Sequence, residues 1–342
     1  NARKGGSLTS SIGASNKGNS PNSISPIFTI FVVKLLLKTI MLLEIENKPF
    51  TQFILILSLC LISVIVFSLI GTFLAAIIYG FNPLEINNLG DPIFIEGMKL
   101  MQLFSAVGLF VIPPLVYGLV SAKKPLQALG LQAFPKPINY GLVLIFMVVL
   151  TPFLSWIIEL NSNMVLPDFM SGIEKWMRDS ERSAEQMTKA FLTFNGVGSL
   201  IYVLLIVAVV PAIGEELLFR GVLQRIFINW TKNAHFGIWI SAILFSALHM
   251  QFFGFFPRFL LGLLFGYMFY WSNSLWLPIL GHFINNGTVV VGAFLYPELL
   301  SETEGVFGEG SIAMLYYMAS LFVSMAIFFL IWKGNILRND PA

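Results

Sequence analysis

Charged residues are scarce in this sequence. Only 11% of its 342 residues are Asp, Glu, Lys or Arg, whereas 56% are hydrophobic. Water-soluble domains carry about 25% charged residues, so this composition excludes a soluble globular protein. The formal net charge is +2 and no basic patch with interleaved aromatic residues occurs, so nucleic acid is not indicated as a partner. The composition predicts an all-α, polytopic integral membrane protein.

Several features that define other classes of protein are also absent. The single cysteine, Cys60, excludes an intrachain disulfide. There is no His-Glu-x-x-His, no Gly-x-Ser-x-Gly and no glycine-rich phosphate loop with a lysine. The usual helical zinc protease, serine hydrolase and P-loop arrangements are therefore not indicated. No internal repeat is apparent, so an inverted-repeat transporter gains no support.

Eight apolar runs have lengths that suit membrane spans, each of which needs about 20 residues. We expect about eight transmembrane helices, at 52–79, 99–120, 138–158, 197–213, 236–256, 258–272, 275–295 and 311–332. Lys and Arg are concentrated in the second and fourth connections and in the tail. With a cytoplasmic N-terminus, those connections all lie inside, as membrane proteins prefer. The sequence predicts a multi-pass protein of a bacterial plasma membrane with both termini in the cytoplasm.

The N-terminal segment differs in composition from the rest of the chain. Residues 1–48 form a basic extension that is rich in Ser, Asn and Gly over its first half, and the first methionine is Met41. We expect the native protein to begin near Met41. The residues before it would then be an upstream extension or a processed leader, with a transit peptide as a further alternative.

One connection has the pattern of an amphipathic helix. Between residues 170 and 193 the apolar residues can share one stripe while the charged residues face away, which is typical of a helix lying on a membrane surface. That stripe consists of Ile173, Trp176, Met177, Met187, Phe191 and Leu192. The sequence predicts one interfacial helix here, which either packs as a connector or covers a cavity.

The strongest candidate for chemistry is an acidic pair between two apolar runs. Glu215 and Glu216 follow the apolar stretch 200–210, and Arg220 follows closely. An ionisable residue at bilayer depth costs about 2.5–3.5 kcal/mol on insertion scales, so such a residue is a functional-site hypothesis by default. In a helix, Glu216 and Arg220 share a face and can pair, whereas Glu215 points about 100° away. Glu215 is then free to take a proton, unless the three charges form only an interfacial cluster.

Two of the three histidines lie in predicted spans near the C-terminal half of the chain. His249 falls in the span 236–256, and His282 precedes Asn286 by one helical turn. A single buried histidine is usually a packing residue. Buried polar groups in a bilayer need partners, however, and these groups are nearly the only ones available to one another. A carboxylate, two imidazoles and a carboxamide would supply a base, a proton carrier and oxyanion donors for hydrolysis.

Three motifs in chain order then resemble a known family. These are Glu-Glu-x-x-x-Arg at 215–220, Phe-x-x-x-His at 245–249 and His-x-x-x-Asn at 282–286. Together they resemble the motifs of the CPBP intramembrane proteases, which include the type II CAAX prenyl endopeptidases and the bacterial Abi or bacteriocin-immunity proteins. The resemblance covers about residues 197–295. It implies a catalytic core over that range, preceded by N-terminal membrane helices and the amphipathic connector over 49–196 and followed by the last helix and tail over 296–342.

The resemblance also implies a role for each motif residue. Glu215 and His249 would activate a water molecule, and His282 with Asn286 would stabilise the oxyanion. Glu216 and Arg220 would support this geometry. Members of the family have been described both as glutamate-type proteases and as metalloproteases. A divalent metal such as zinc, with Glu215, His249 and His282 as candidate ligands, therefore stays open.

The expected function is an intramembrane endopeptidase acting on a membrane-associated peptide or a lipidated protein, including prenylated CAAX-type substrates. The sequence leaves the substrate open. Two alternatives from other classes remain at this stage. One is a non-catalytic membrane immunity or scaffold protein, in which the polar cluster only holds helices together. The other is an ion- or proton-coupled transporter that uses the same residues as a relay.

Overall fold

The structure is a computed structural model that describes residues 48–84, 89–300 and 311–339. Nearly all of the predicted extension, including Met41, lies outside these residues. Within the described part the chain forms helices and no strand. Besides the four-residue helix Pro125–Ala128, the described part contains nine longer α-helices. The first four of them are α1 (Pro49–Tyr79), α2 (Pro92–Ser121), α3 (Pro137–Ser162) and α4 (Ser171–Phe191). The remaining five are α5 (Val197–Thr231), α6 (Ala234–Ala247), α7 (Phe255–Ser272), α8 (Trp276–Leu295) and α9 (Ser311–Asn339).

The helices confirm the predicted class of fold. Among the described residues, seven helices are long and apolar enough to cross a membrane. These are all of the nine except α4 and α6. The predicted amphipathic segment is helical as α4. Most of its charged residues are exposed, as are Ile173 and Trp176, whereas Glu174, Arg178 and Glu181 are partly buried. The chain is therefore a polytopic, all-helical integral membrane protein.

Two predicted spans differ from the observed helices. The predicted span 236–256 becomes the 14-residue helix α6, which rises only about 21 Å. α6 ends at Ala247 because Met250 adopts a left-handed conformation with φ of 53°. The predicted span 197–213 instead continues to Thr231 as one helix of 35 residues. The acidic pair consequently lies inside a long continuous helix rather than at a helix end.

Helix α5 is irregular on both sides of its acidic pair. The segments Leu205–Val209 and Leu217–Gln224 are wound as π-helix. Such segments are uncommon and occur frequently at functional sites, because they rotate the side chains that follow. Just before the pair, a Cβ atom at Gly214 would come within 2.7 Å of the Phe110 side chain of α2. Glycine therefore allows α2 to pack tightly against α5 at the level of the site.

Helix α5 lies at the centre of the packing and contacts α1, α2, α6, α7 and α8. One buried apolar cluster surrounds its second half and includes Leu218, Phe219 and Phe245. A second cluster lies between α3, α7, α8 and α9 and includes Phe265. Helices α7 and α8 contribute residues to both clusters. The polar residues of the three motifs are thus held on helices that are packed on several sides.

Candidate active site

Three motif residues form a buried network around Oε1 of Glu216, whereas Oε2 of Glu216 has no hydrogen-bond partner among the described residues. The Nη1 atom of Arg220 donates to Oε1 of Glu216 at 2.8 Å, and Nδ1 of His282 lies 2.9 Å from the same oxygen. Because that oxygen belongs to an ion-paired carboxylate, Nδ1 is the donating nitrogen of His282. The side chains of Glu216, Arg220 and His282 are 0%, 1% and 6% exposed. The predicted Glu216–Arg220 pair is therefore present, and it also orients a histidine from α8.

The arginine of this network is fixed by further contacts. Its Nη2 atom donates to the backbone oxygen of Gly262 at 3.2 Å, and its guanidinium lies 4.6 Å from the ring centre of Phe245. A Cβ atom at Gly262 would come within 3.2 Å of the Ala242 backbone. Close packing of α6 on α7 thus brings a backbone acceptor and an aromatic face to Arg220. These contacts compensate the desolvation of a buried cation.

The second carboxylate has a different environment. The Oε2 atom of Glu215 lies 3.9 Å from Nε2 of His249 and 3.9 Å from Nε2 of His282. These separations exceed the length of a direct hydrogen bond but leave room for a bridging water. In the described structure this buried oxygen has no hydrogen-bond partner. Glu215 therefore faces two imidazole nitrogens without being tied to either of them.

His249 lies just beyond the end of α6, not within a helix as the sequence indicated. Its Nδ1 atom lies 2.8 Å from the backbone oxygen of Phe245. A carbonyl oxygen only accepts, so Nδ1 carries the proton and Nε2 presents a lone pair in the neutral ring. The side chain is 32% exposed. A short turn in place of a helix leaves this histidine accessible while its tautomer is fixed.

Asn286 is held by a partly buried backbone acceptor of α5. Its Nδ2 atom donates to the oxygen of Val207 at 3.0 Å, and its Oδ1 atom accepts from Nδ2 of Asn285 at 3.1 Å. Pro211 stands four residues after Val207 and has no N–H to donate to that oxygen. The position of Asn286 thus depends on a proline in another helix. This proline is a signal in the sequence that our motif reasoning did not use.

Glu215, His249 and His282 are the candidate metal ligands. One carboxylate and two imidazoles are suitable donor types for zinc. Among the residues in the described ranges, however, no group of three or more His, Cys, Asp or Glu side chains is placed to hold a metal ion. The 3.9 Å separations around Glu215 also exceed the spacing of about 3.3 Å that tetrahedral zinc ligands adopt. The residues as arranged do not fit the metal.

A cavity of about 770 Å³ adjoins the site between α3, α4, α7 and α8. Its walls are mainly apolar, and its polar residues include Glu181, Arg258 and Asn285. Asn285 hydrogen-bonds to Asn286, and Arg258 donates to Gln251, two residues after His249. Sequence reasoning missed Arg258, Gln251 and Glu181 because no motif or helical spacing connects them with the histidines.

Comparison with known proteins identifies the segment that contains the site. Residues 197–288 match the family model described as Type II CAAX prenyl endopeptidase Rce1-like. All seven residues of the three motifs lie within these bounds. The chain is therefore similar to this family over residues 197–288, which we call the Rce1-like segment. The resemblance that the motifs indicated is therefore confirmed over the Rce1-like segment. At the level of the family, this match supports an intramembrane protease.

A bacterial relative is also similar to this chain. The uncharacterized protein YpbD of Bacillus subtilis (strain 168) is 28% identical over 117 residues. The matched part covers 33% of this chain and 55% of YpbD, so the chain spans about half the length of that relative. No solved structure matches the chain. The Rce1-like segment thus carries the family evidence, and the activity of the whole protein is a matter for proposal.

Proposed function

We propose that this protein is an intramembrane endopeptidase that uses Glu215 and His249 to activate water. The observation that carries the proposal is the buried Oε2 atom of Glu215, which lies 3.9 Å from the Nε2 atoms of two histidines and has no partner in the described structure. A carboxylate that is buried without a partner is costly for stability. Such an arrangement is favoured where the group handles a proton during a reaction.

In the proposed reaction, a water molecule between Glu215 and His249 gives a proton to the Glu215 carboxylate. Its oxygen then attacks the carbonyl carbon of the scissile peptide bond. The proton passes to the leaving amine, either directly from Glu215 or through Nε2 of His249, which accepts because Nδ1 is bound to Phe245. The net reaction consumes one water and yields a carboxylate and an amine.

The proposed oxyanion donors come from α8. When charged, His282 donates through both nitrogens, to Glu216 at Nδ1 and toward the reacting oxygen at Nε2. The Nδ2 atom of Asn286 uses one N–H on Val207 and retains the other. Both side chains are oriented before substrate arrives, which is the condition under which such donors are effective.

The substrate class follows from the location of the site and from the family match. Glu215 and His282 belong to membrane-spanning helices, His249 lies in the turn after α6, and the adjoining cavity has mainly apolar walls. We propose a membrane-associated peptide or a lipidated protein, with prenylated CAAX-type chains as the first substrates to test. We also propose a bacterial plasma membrane location with both termini in the cytoplasm, which requires the short apolar helix α6 to serve as an eighth membrane segment.

The test is peptide cleavage by the purified full-length chain in liposomes. A farnesylated C-terminal peptide and an unmodified transmembrane peptide are compared for the wild type, for Glu215→Gln and for Glu185→Gln. Glu185 is an exposed residue of α4 that pairs with Lys189, and it provides the matched control. A protease is expected to cleave in the wild type and in the control but not in Glu215→Gln.

A chelator distinguishes the two family mechanisms in the same assay. Cleavage that persists with chelator supports the glutamate–histidine reaction described above, whereas its loss would show that a metal takes part. If Glu215→Gln cleaves as well as the wild type, the catalytic proposal is wrong. The non-catalytic alternative, an immunity or scaffold protein, would then be preferred. The family match favours the protease over that alternative and over a transporter.

A further inference from the structure

A single cation stands in the cavity beside the candidate active site. The residues lining the cavity carry only two charges, Arg258 of α7 and Glu181 of α4. The cavity volume of about 770 Å³ lies within the range typical of ligand sites. Arg258 is also within electrostatic range of Glu215. Neither the proposed base nor the proposed oxyanion donors use Arg258, so its presence in an apolar cavity needs an explanation.

The guanidinium of Arg258 is held in a fixed orientation. Its Nη1 atom donates to the backbone oxygen of Gln251 at 3.0 Å, and its Nη2 atom donates to the side-chain oxygen of the same residue. A Cβ atom at Gly254 would come within 2.5 Å of Nη2. Glycine therefore leaves room for the guanidinium above the turn that follows His249. These two bonds use two of the five N–H donors of the arginine.

The charge of Arg258 is not neutralised by a direct ion pair. Within the described ranges, no carboxylate lies within 4.0 Å of its guanidinium nitrogens. Glu181 interacts with it only at longer range, and the buried Oε2 atom of Glu181 has no hydrogen-bond partner there. A fixed, accessible and incompletely paired guanidinium in an apolar cavity favours an anion with two oxygens.

We propose that Arg258 binds the terminal carboxylate of the peptide substrate. The proposal rests on the proposed function, because it concerns the substrate of that same site. The terminal carboxylate is an anion that every unmodified C-terminus provides. With the terminal carboxylate bound at Arg258, the last few residues of the substrate would lie between the cavity and Glu215. Arg258 would thereby select bonds close to a chain end, and Glu181 would oppose binding because it repels the incoming carboxylate.

The test compares two peptides that differ only in their last group, a free carboxylate or a carboxamide. For the wild type we expect KM to be about tenfold to a hundredfold lower for the carboxylate form. Arg258→Gln should have the same KM for both forms, and Arg258→Lys should recover part of the preference. Glu181→Gln should lower KM for the carboxylate peptide severalfold. Because the comparison is made within each variant, a loss of folded protein does not alter it.

Arg225 provides the matched control. It is an arginine of α5 that donates to Asn273 and lies over Phe269, away from the cavity. Arg225→Gln should keep the wild-type preference for the carboxylate. Equal KM values for the two peptides in the wild type, or an intact preference in Arg258→Gln, would overturn the proposal.

Failure of this inference can be separated from failure of the proposed function. Equilibrium binding of both peptides is measured in the Glu215→Gln background, where no cleavage is expected. In that background, tighter binding of the carboxylate peptide that is lost on replacing Arg258 supports the inference, even if the wild type cleaves neither peptide. Equal binding of the two peptides there, together with cleavage by the wild type, overturns the inference and leaves the proposed function standing.

Discussion

The two adjacent carboxylates of α5 have opposite environments. Glu216 is fully buried and is bound by Arg220 and His282 at 2.8 and 2.9 Å. Glu215 faces His249 and His282 at 3.9 Å without a direct hydrogen bond. We refer to Glu216, Arg220 and His282 as the fixed network, and to Glu215 with His249 as the open pair.

The difference shows how a membrane site can combine rigidity with reactivity. The fixed network gives each buried charge a partner, as a low-dielectric environment requires. It also orients His282, which then faces the open pair from a defined direction. The open pair retains a carboxylate and an imidazole nitrogen that are available to a water molecule. Substitutions of Glu216 or Arg220 should therefore affect stability, whereas those in the open pair should affect turnover. His282 belongs to the fixed network and is also a proposed oxyanion donor, so its substitution should affect both.

The largest expected effect comes from Glu215→Gln. Loss of the proposed base should lower kcat by about 10²–10⁴-fold with little change in thermal stability, because Glu215 makes no direct hydrogen bond. Glu216→Gln should show the opposite pattern, in which the main effect is a clear loss of thermal stability. Cleavage rates and scanning fluorimetry in detergent, at one scan rate, measure both quantities. Equal stability losses in the two variants would contradict the comparison.

The next effect is expected for Arg220→Gln. Removal of this cation leaves the Glu216 carboxylate buried without its charge partner, which costs about 3–5 kcal/mol. We expect a large decrease in folded yield and in the midpoint of thermal unfolding. Lys232→Gln is the control, because Lys232 is exposed at the end of α5. Similar yields and midpoints for both variants would mean that the buried pair does not stabilise the fold.

A smaller effect is expected for Asn286→Ala. Loss of one oxyanion donor should lower kcat and kcat/KM together by about 10²-fold, because the interaction is made in the transition state. Asn285→Ala removes a neighbouring amide whose one side-chain hydrogen bond among the described residues is to Asn286, and it should lower turnover much less. Steady-state kinetics with one peptide substrate separate the two variants. A raised KM with unchanged kcat in Asn286→Ala would assign the residue to substrate binding instead.

The smallest effect is expected where α4 packs against the turn that follows His249 of the open pair. Arg178 lies 4.6 Å from the ring centre of Phe253, close to the turn after His249, and pairs with Glu174. Arg178 and the Leu166 N–H lower the pKa of Glu174. A lowered pKa in the folded state stabilises the protein above the ordinary range for Glu, and this contribution is lost as pH falls through the lowered value.

Hydrogen exchange of α4 across acidic pH provides the measurement. We expect faster exchange in the wild type as Glu174 becomes protonated. Glu174→Gln should exchange faster at neutral pH and show less dependence on pH over that range. An unchanged pH profile in the variant would show that another group causes the pH dependence of hydrogen exchange in α4.

Much of this architecture could be predicted from the sequence because the signals were local. Apolar runs of sufficient length indicated the spans, and periodic charge indicated α4. The pairing of Glu216 with Arg220 followed from helical spacing. The lengths of α5 and α6 were predicted less well, since hydropathy does not register a polar pair inside a continuous helix. Nor does it register the left-handed turn at Met250 that ends α6 before His249.

The sequence alone determined the membrane class, the motif residues and which carboxylate would find a partner. Those properties depend on composition and on separations of a few residues along one helix. Only the tertiary structure brought His282 to Glu216, placed His249 and His282 around one oxygen of Glu215, and set Arg258 in the adjoining cavity. These arrangements depend on close helix packing at Gly214 and Gly262 and on π-helical turns in α5. Such features position side chains that are distant in sequence, so no local pattern could have specified them.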